Sequence, residues 1–284
     1  MPAITRRYLF SGHESFFCKP LWLKKGYDAL LAGVDFSSPE AVCTLGVGKN
    51  MVSSIRYWLK AFGIIESSIP SSWASAIFAD DGMDPFLEDE GTLWLLHYFL
   101  VTKRVASLYH LVFLDFQREK KEFDRDQLQS FIYRKCLDPG QKNVYNENTV
   151  RKDINVFLHS YLAPEKAKSN EDYLALFQDL GILRQTSGDR FSFSELDESH
   201  LPADILLYAM LDYKGQDRTV SLDGLQDLAL IFCMPLSALV ELIKAVVARY
   251  PDEISYTDNS GLKNVQFIRE PKAAAVLNNY YSSK

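Results

Sequence analysis

The sequence predicts a mainly α-helical protein of the α+β class carrying small β-hairpins, and three observations carry that prediction. Apolar residues recur at helical spacing through most of the 284 residues. Short alternating stretches such as RQTSGDRFSF and EISYTDNSGLKNVQFI close around glycine and read as hairpins. Near the amino end, a helix, a glycine turn and a second helix are followed by a β-prone stretch broken by Pro and Ser, the order of a winged helix-turn-helix. A chain of this length exceeds one small domain. Three units are expected: a winged helix-turn-helix DNA-binding domain over 1–80, a helical domain over 81–165, and a winged-helix-like domain over 166–284. The polar stretch APEKAKSNE supplies the second boundary.

Composition narrows the class. With 47% hydrophobic and 24% charged residues the chain reads as globular. It has no run of 18 uncharged apolar residues and no secretory pattern at its start, so a cytoplasmic protein without a membrane span is expected. Cys18, Cys43, Cys136 and Cys233 are too widely spaced for a zinc site or a disulfide framework and read as free thiols. The net charge of −6 argues against a protein that coats DNA along its whole surface. Residues 1–66 nevertheless hold eight Lys and Arg against five Asp and Glu, which leaves a basic amino-terminal module on an acidic body.

Taken in order, Arg6 and Arg7 precede the loop FSGHESF, which sets His13 and Glu14 just before a helix from Pro20 to Leu31. A functional pair can be held there by a rigid neighbour, and the competing reading is a hydrogen-bonded loop histidine beside a solvated carboxylate. From Ser38 to Ile65 two helices flank Gly46 and Gly48. In the second, Val52, Ile55, Leu59 and Phe62 share one buried stripe, and Gly63 ends it. Lys49, Asn50, Ser53, Arg56, Tyr57 and Lys60 lie off the stripe, offering the amide and cationic groups that read bases and hold phosphates. ESSIPSSWASAIF is then expected to form a hairpin in the position of a wing.

ADDGMDPFLEDE gathers six carboxylates around a turn, and hard divalent cations take oxygen ligands from such clusters. Asp84, Glu88 and Asp89 are the candidate magnesium (Mg2+) ligands; acidic capping of the next helix is the competing reading. Thr92 to Gln117 reads as two core helices parted near Thr102–Arg104, with His97 and His110 as core histidines. An amphipathic helix over Asp126–Cys136 follows. NENTVRKDINVFLHSYL then places Arg151, Lys152, Asn155 and His159 off an apolar face, as either a second recognition-like helix or an ordinary surface helix. Past the linker, helices alternate with short strands. The candidate face there is poor in cations, which favours packing or a homodimer over DNA contact.

FSGHESF, WLKKGYDAL, LGVGKNMVSSIRYW, GMDPFLEDEGTLWLLHY and VRKDINVFL, in that order, resemble the bacterial family of unknown function DUF4007 over nearly the whole chain. Members of that family occur beside cysteine desulfurase and ATP pyrophosphatase genes in DNA phosphorothioation clusters. The resemblance implies a component of a single-stranded (Ssp) phosphorothioation system, namely the subunit that engages and nicks DNA. Its partners would be DNA, the desulfurase, the pyrophosphatase and an ATPase. The motif positions occupied are His13, Glu14, Gly48, Lys49, Asn50, Arg56, Asp84, Glu88, Asp89, Lys152 and Asp153, and the resemblance gives none of them a role. Phosphodiester hydrolysis needs an activated water, a charge clamp and a leaving-group acid. His13, Glu14 and Asp84 are the catalytic candidates, with His13 as acid or base, and Lys49 and Arg56 would anchor the strand. A non-catalytic DNA-binding or recruiting protein, or a transcriptional regulator, is the alternative.

Overall fold

The computed structural model describes residues 7–163, 175–259 and 262–284. It is mostly helical with small antiparallel sheets and divides into two compact units, one ending at Phe193 and one spanning Ser194–Lys284. Among the described residues no single helix is long and apolar enough to cross a membrane.

The first unit opens with α1 (Pro20–Leu31), whose proline occupies the first turn, where no backbone donor is needed. α2 (Glu40–Leu45) stops at Gly46, which takes the left-handed conformation (φ 62°) that caps a helix cheaply only in glycine. α3 (Lys49–Ala61) starts directly after the extended Gly48. Its expected stripe is sealed, Val52, Ile55, Leu59 and the following Phe62 all being buried together with Trp58. Against that stripe lies Gly26 of α1. A Cβ there would meet Ile55 Cγ2 at 2.7 Å and Leu59 Cδ1 at 2.8 Å, so glycine sets how closely the two helices approach.

The expected hairpin over ESSIPSSWASAIF is only partly present. β1 (Ile65–Glu66) and β2 (Ile69–Pro70) pair across Ser67 and Ser68, both at positive φ as a tight hairpin turn requires. The remainder forms α4 (Ser72–Phe78), because Trp73, Ala74, Ile77 and Phe78 recur at helical spacing and are all buried. The two expected core helices appear as α5 (Glu90–Thr102) and α6 (Ser107–His110). The latter runs on through a π-helical stretch, Leu111–Phe116, into α7 (Gln117–Glu119). β3 (Glu122–Asp124) leads into α8 (Arg125–Lys135), which begins with a capping box between Asp124 and Gln127. α9 (Glu147–Tyr161), β4 (Leu183–Ser187) and β5 (Arg190–Phe193) complete the unit.

The boundaries expected at 80/81 and 165/166 are not boundaries between compact units. β3 pairs with β5 in a sheet of order β3-β5-β4, joining residues on either side of the second one. Across the first, the Trp73 and Phe99 rings stack at 4.5 Å and Trp58 meets Tyr109 edge-on at 6.1 Å. The Tyr8 N–H donates to Gln141 Oε1 at 2.7 Å. An aromatic core thus draws the helix pair and the middle helices together, and neither would bury its apolar face alone.

The second unit runs α10 (Ala203–Lys214), β6 (Thr219–Val220), α11 (Leu222–Ile231), α12 (Leu236–Arg249), β7 (Ile254–Asn259), β8 (Leu262–Phe267) and α13 (Ala273–Ser282). Its sheet has the order β6-β8-β7, all antiparallel. The turn expected at Ser260–Gly261, and most of the polar linker 163–171, lie outside the described residues. Two buried charges are satisfied here. Asp204 meets Tyr250 Oη at 2.8 Å and Arg249 at 2.7 Å, while the Lys214 ammonium meets Glu270 at 2.9 Å and two backbone carbonyls.

Candidate nucleic-acid interface

The amino-terminal face of α3 lines a groove of about 790 Å3. Lys49, Ser53, Arg56 and Lys60 come from α3, and the facing wall is the segment from Phe36 to Pro39 with Val42 of α2. Lys49, Asn50, Ser53, Arg56 and Lys60 are all exposed, because the stripe of α3 turns the opposite side of the helix inward. Arg56 Nη1 donates to Ser37 Oγ at 3.1 Å across the groove. Lys49, Arg56 and Lys60 have no carboxylate within ion-pair distance among the described residues, so their charges are available to an anion.

Tyr57 departs from the expected set of contacts because its ring is turned inward, where it is buried against Gly12 and lies edge-on to His13 at 5.7 Å. A Cβ on residue 12 would lie 2.4 Å from that ring. Burial, with Asp153 nearby, holds the Tyr57 hydroxyl in its neutral form far above the ordinary tyrosine range. Tyr57 therefore props the groove from behind.

The same inward side contains His13, which is 2% exposed and has both ring nitrogens engaged. Nδ1 accepts the Ser15 N–H at 3.1 Å, leaving the Nε2 proton to face Asp153 Oδ1 at 3.2 Å. Both Asp153 oxygens accept the Ser11 N–H at 3.0 Å, and the His13 ring stacks on Trp58 with centroids 5.8 Å apart. The FSGHES loop, with Ser11, Glu14 and Ser15 at positive φ, is thereby clamped between α9 and α3. The expectation that His13 is a catalytic acid or base is corrected on this geometry, since no side of the ring is open to substrate. Glu14 is exposed and does not bond to His13. The residue that sequence reasoning left without a role is Asp153, which lies 140 positions from the loop it holds.

The acidic turn is built as a cap. Asp84, 5% exposed, accepts the N–H groups of Glu88 at 2.8 Å and Asp89 at 3.1 Å, together with the Thr92 hydroxyl. Asp89 is the N-cap of α5, accepting the Gly91 N–H at 2.7 Å. Asp80 pairs instead with Lys24 at 2.8 Å, whose ammonium holds its carboxyl below the usual range. Among the described residues no three His, Cys, Asp or Glu side chains converge in a way that suits a metal ion. Asp84, Glu88 and Asp89 therefore do not fit the magnesium site expected of them, and Asp84 does not fit the expected catalytic role, because both its oxygens are buried and already accept from three protein donors.

Burial behind the groove has a pH consequence. Desolvation raises the Tyr57, Tyr109 and Cys18 pKa values in the folded state. Above pH 9–10 the unfolded chain releases these protons and the folded chain keeps them, so stability is complete below that range and falls as pH rises. Each group contributes a slope of about 1.4 kcal/mol per pH unit. In an alkaline titration followed at 295 nm and by circular dichroism, a tyrosinate step for the buried rings is expected only together with loss of helix. Their smooth ionisation in a folded protein would contradict this.

Comparison with known proteins bears on the whole chain. The model of the family described as "Protein of unknown function (DUF4007)" matches residues 10–281. Among solved structures, the chain is similar to "Magnesium ion-bound SspB crystal structure" at 27% identity and TM-score 0.83, covering 96% of this chain and 88% of that one. "SspB crystal structure" is matched at 27% identity and TM-score 0.81 over the same shares. No curated protein matches. The fold likeness and the family match both run nearly end to end, so the chain belongs to the DUF4007 family.

Proposed function

We propose that this chain is the DNA-engaging component of a bacterial DNA phosphorothioation system and that it holds DNA at the α3 groove. The observation that carries this reading is the set Lys49, Arg56 and Lys60, three exposed cations without carboxylate partners lining one groove beside the amides and hydroxyls of Asn50 and Ser53. The order α1-α2-α3-β1-β2 supports reading the amino end as a helix-turn-helix with a small wing. The order α10-β6-α11-α12-β7-β8 supports a winged-helix-like second unit used for packing or dimerisation. The likeness to SspB supports membership of the same kind of system. Its other components, a cysteine desulfurase, an ATP pyrophosphatase and an ATPase, are then partners in the cytoplasm.

A second reading, magnesium-dependent nicking, is favoured by the magnesium-bound neighbour alone. It requires ligands other than the Asp84, Glu88 and Asp89 set.

Fluorescence anisotropy with a labelled DNA fragment over a salt series tests the first reading. The logarithm of the wild-type binding constant is expected to fall linearly with log salt. Arg56→Glu or Lys49→Glu should weaken binding by about tenfold and reduce the salt slope by about 1. Affinities unchanged by both substitutions would remove the groove as the DNA site. Supercoiled plasmid incubated with magnesium in the same preparations addresses nicking.

A further inference from the structure

The cationic side of α3 is exposed and at the same time borders a concavity. Lys49, Arg56 and Lys60 line a concavity whose opposite wall is Phe36–Pro39 with Val42, and whose inner lining includes the buried Val52 and Tyr57. At about 790 Å3 it lies within the range of clefts that enclose small ligands, about 300–1,000 Å3. Exposed cations over an apolar interior match the two halves of one nucleotide, charged backbone outside and flat base inside. Phe36 adds a specific element. It lines the groove, is only half-buried and has no aromatic ring stacked on it among the described residues, and base–aromatic stacking uses a side chain of this kind.

We propose that the α3 groove takes an unpaired nucleotide, with its base stacked on Phe36 and its flanking phosphates on Lys49, Arg56 and Lys60. This deepens the DNA-binding reading above and rests on it. Two sources supply the same chemistry: single-stranded DNA, and a base swung out of a duplex at some unstacking cost. Asp35 and Glu40 flank the facing wall without lining the groove, so the cations remain the charges that meet the strand.

The test compares three labelled oligonucleotides of one sequence on the full chain: a single strand, a matched duplex, and a duplex with one bulged 2-aminopurine. Single strand and bulged duplex are expected to bind at least about tenfold more tightly than matched duplex. Phe36→Ala and Phe36→Leu should each weaken those two about fivefold or more, the effect of losing one stacked base, and leave matched duplex unchanged. Phe36→Tyr should retain wild-type behaviour, and equal melting temperatures of all three variants separate lost stacking from lost folding. If matched duplex binds as tightly as the other two and Phe36→Ala has no effect, the inference fails while the DNA-binding reading stands. If no form of DNA binds, both fail.

Discussion

Asp153→Ala is expected to destabilise the first unit by about 3 kcal/mol, because hydrogen bonds to a buried carboxylate contribute about 1.5–3 kcal/mol each and their loss is not additive. The Asp153 carboxylate is 4% exposed and collects the Ser11 N–H on both oxygens and His13 on one. Its removal strands a buried imidazole and frees a loop with three residues at positive φ. The melting temperature should fall by about 6–12 °C. Asp153→Asn keeps one acceptor oxygen and should lose less. Because His13 and Gly12 support the ring of Tyr57 at the back of the groove, DNA affinity should fall in the same order. A variant that melts like wild type would show that the clamp contributes nothing to folding.

Asp84→Ala is the second large effect. It withdraws the acceptor for two backbone N–H groups and the buried Thr92 hydroxyl at the entrance to α5, the most completely buried helix of the unit. A loss of about 3 kcal/mol is expected, with Asp84→Asn intermediate. The same substitution separates the capping and metal roles. A cap predicts lower melting with or without magnesium, whereas a magnesium ligand predicts unchanged melting in its absence and a loss confined to magnesium-dependent nicking. The second pattern would return Asp84 to the candidate catalytic residues.

What the sequence made legible, and what it did not, follows from the range of each interaction. The pair of helices α2 and α3 was readable because its determinants are local: Val52, Ile55 and Leu59 span two turns, and each glycine stop lies within about two turns of the helix end it sets. The exposed cations of α3 followed from the same periodicity. Tyr57 did not, since it borders the stripe and only the FSGHES loop folding over it decides which way it faces. The role of His13 depended on Asp153, and no local pattern connects residues so far apart. Asp84 looked the same as cap and as metal ligand, because both need carboxylates beside a turn, and only the direction of the backbone N–H groups distinguishes them. The hairpin was overestimated because Pro70 and the serines obscured the helical spacing of Trp73, Ala74, Ile77 and Phe78.

The β3-β5 pairing also constrains how the protein is made. During synthesis, residues 122–124 emerge well before their partners at 190–192, so until the ribosome has passed β5 the central strand of that sheet is missing. Such late, long-range closure slows folding, and Phe123 remains exposed to other nascent chains in the interval. The short length of β3 limits that hazard, since three residues offer a stray strand little to join.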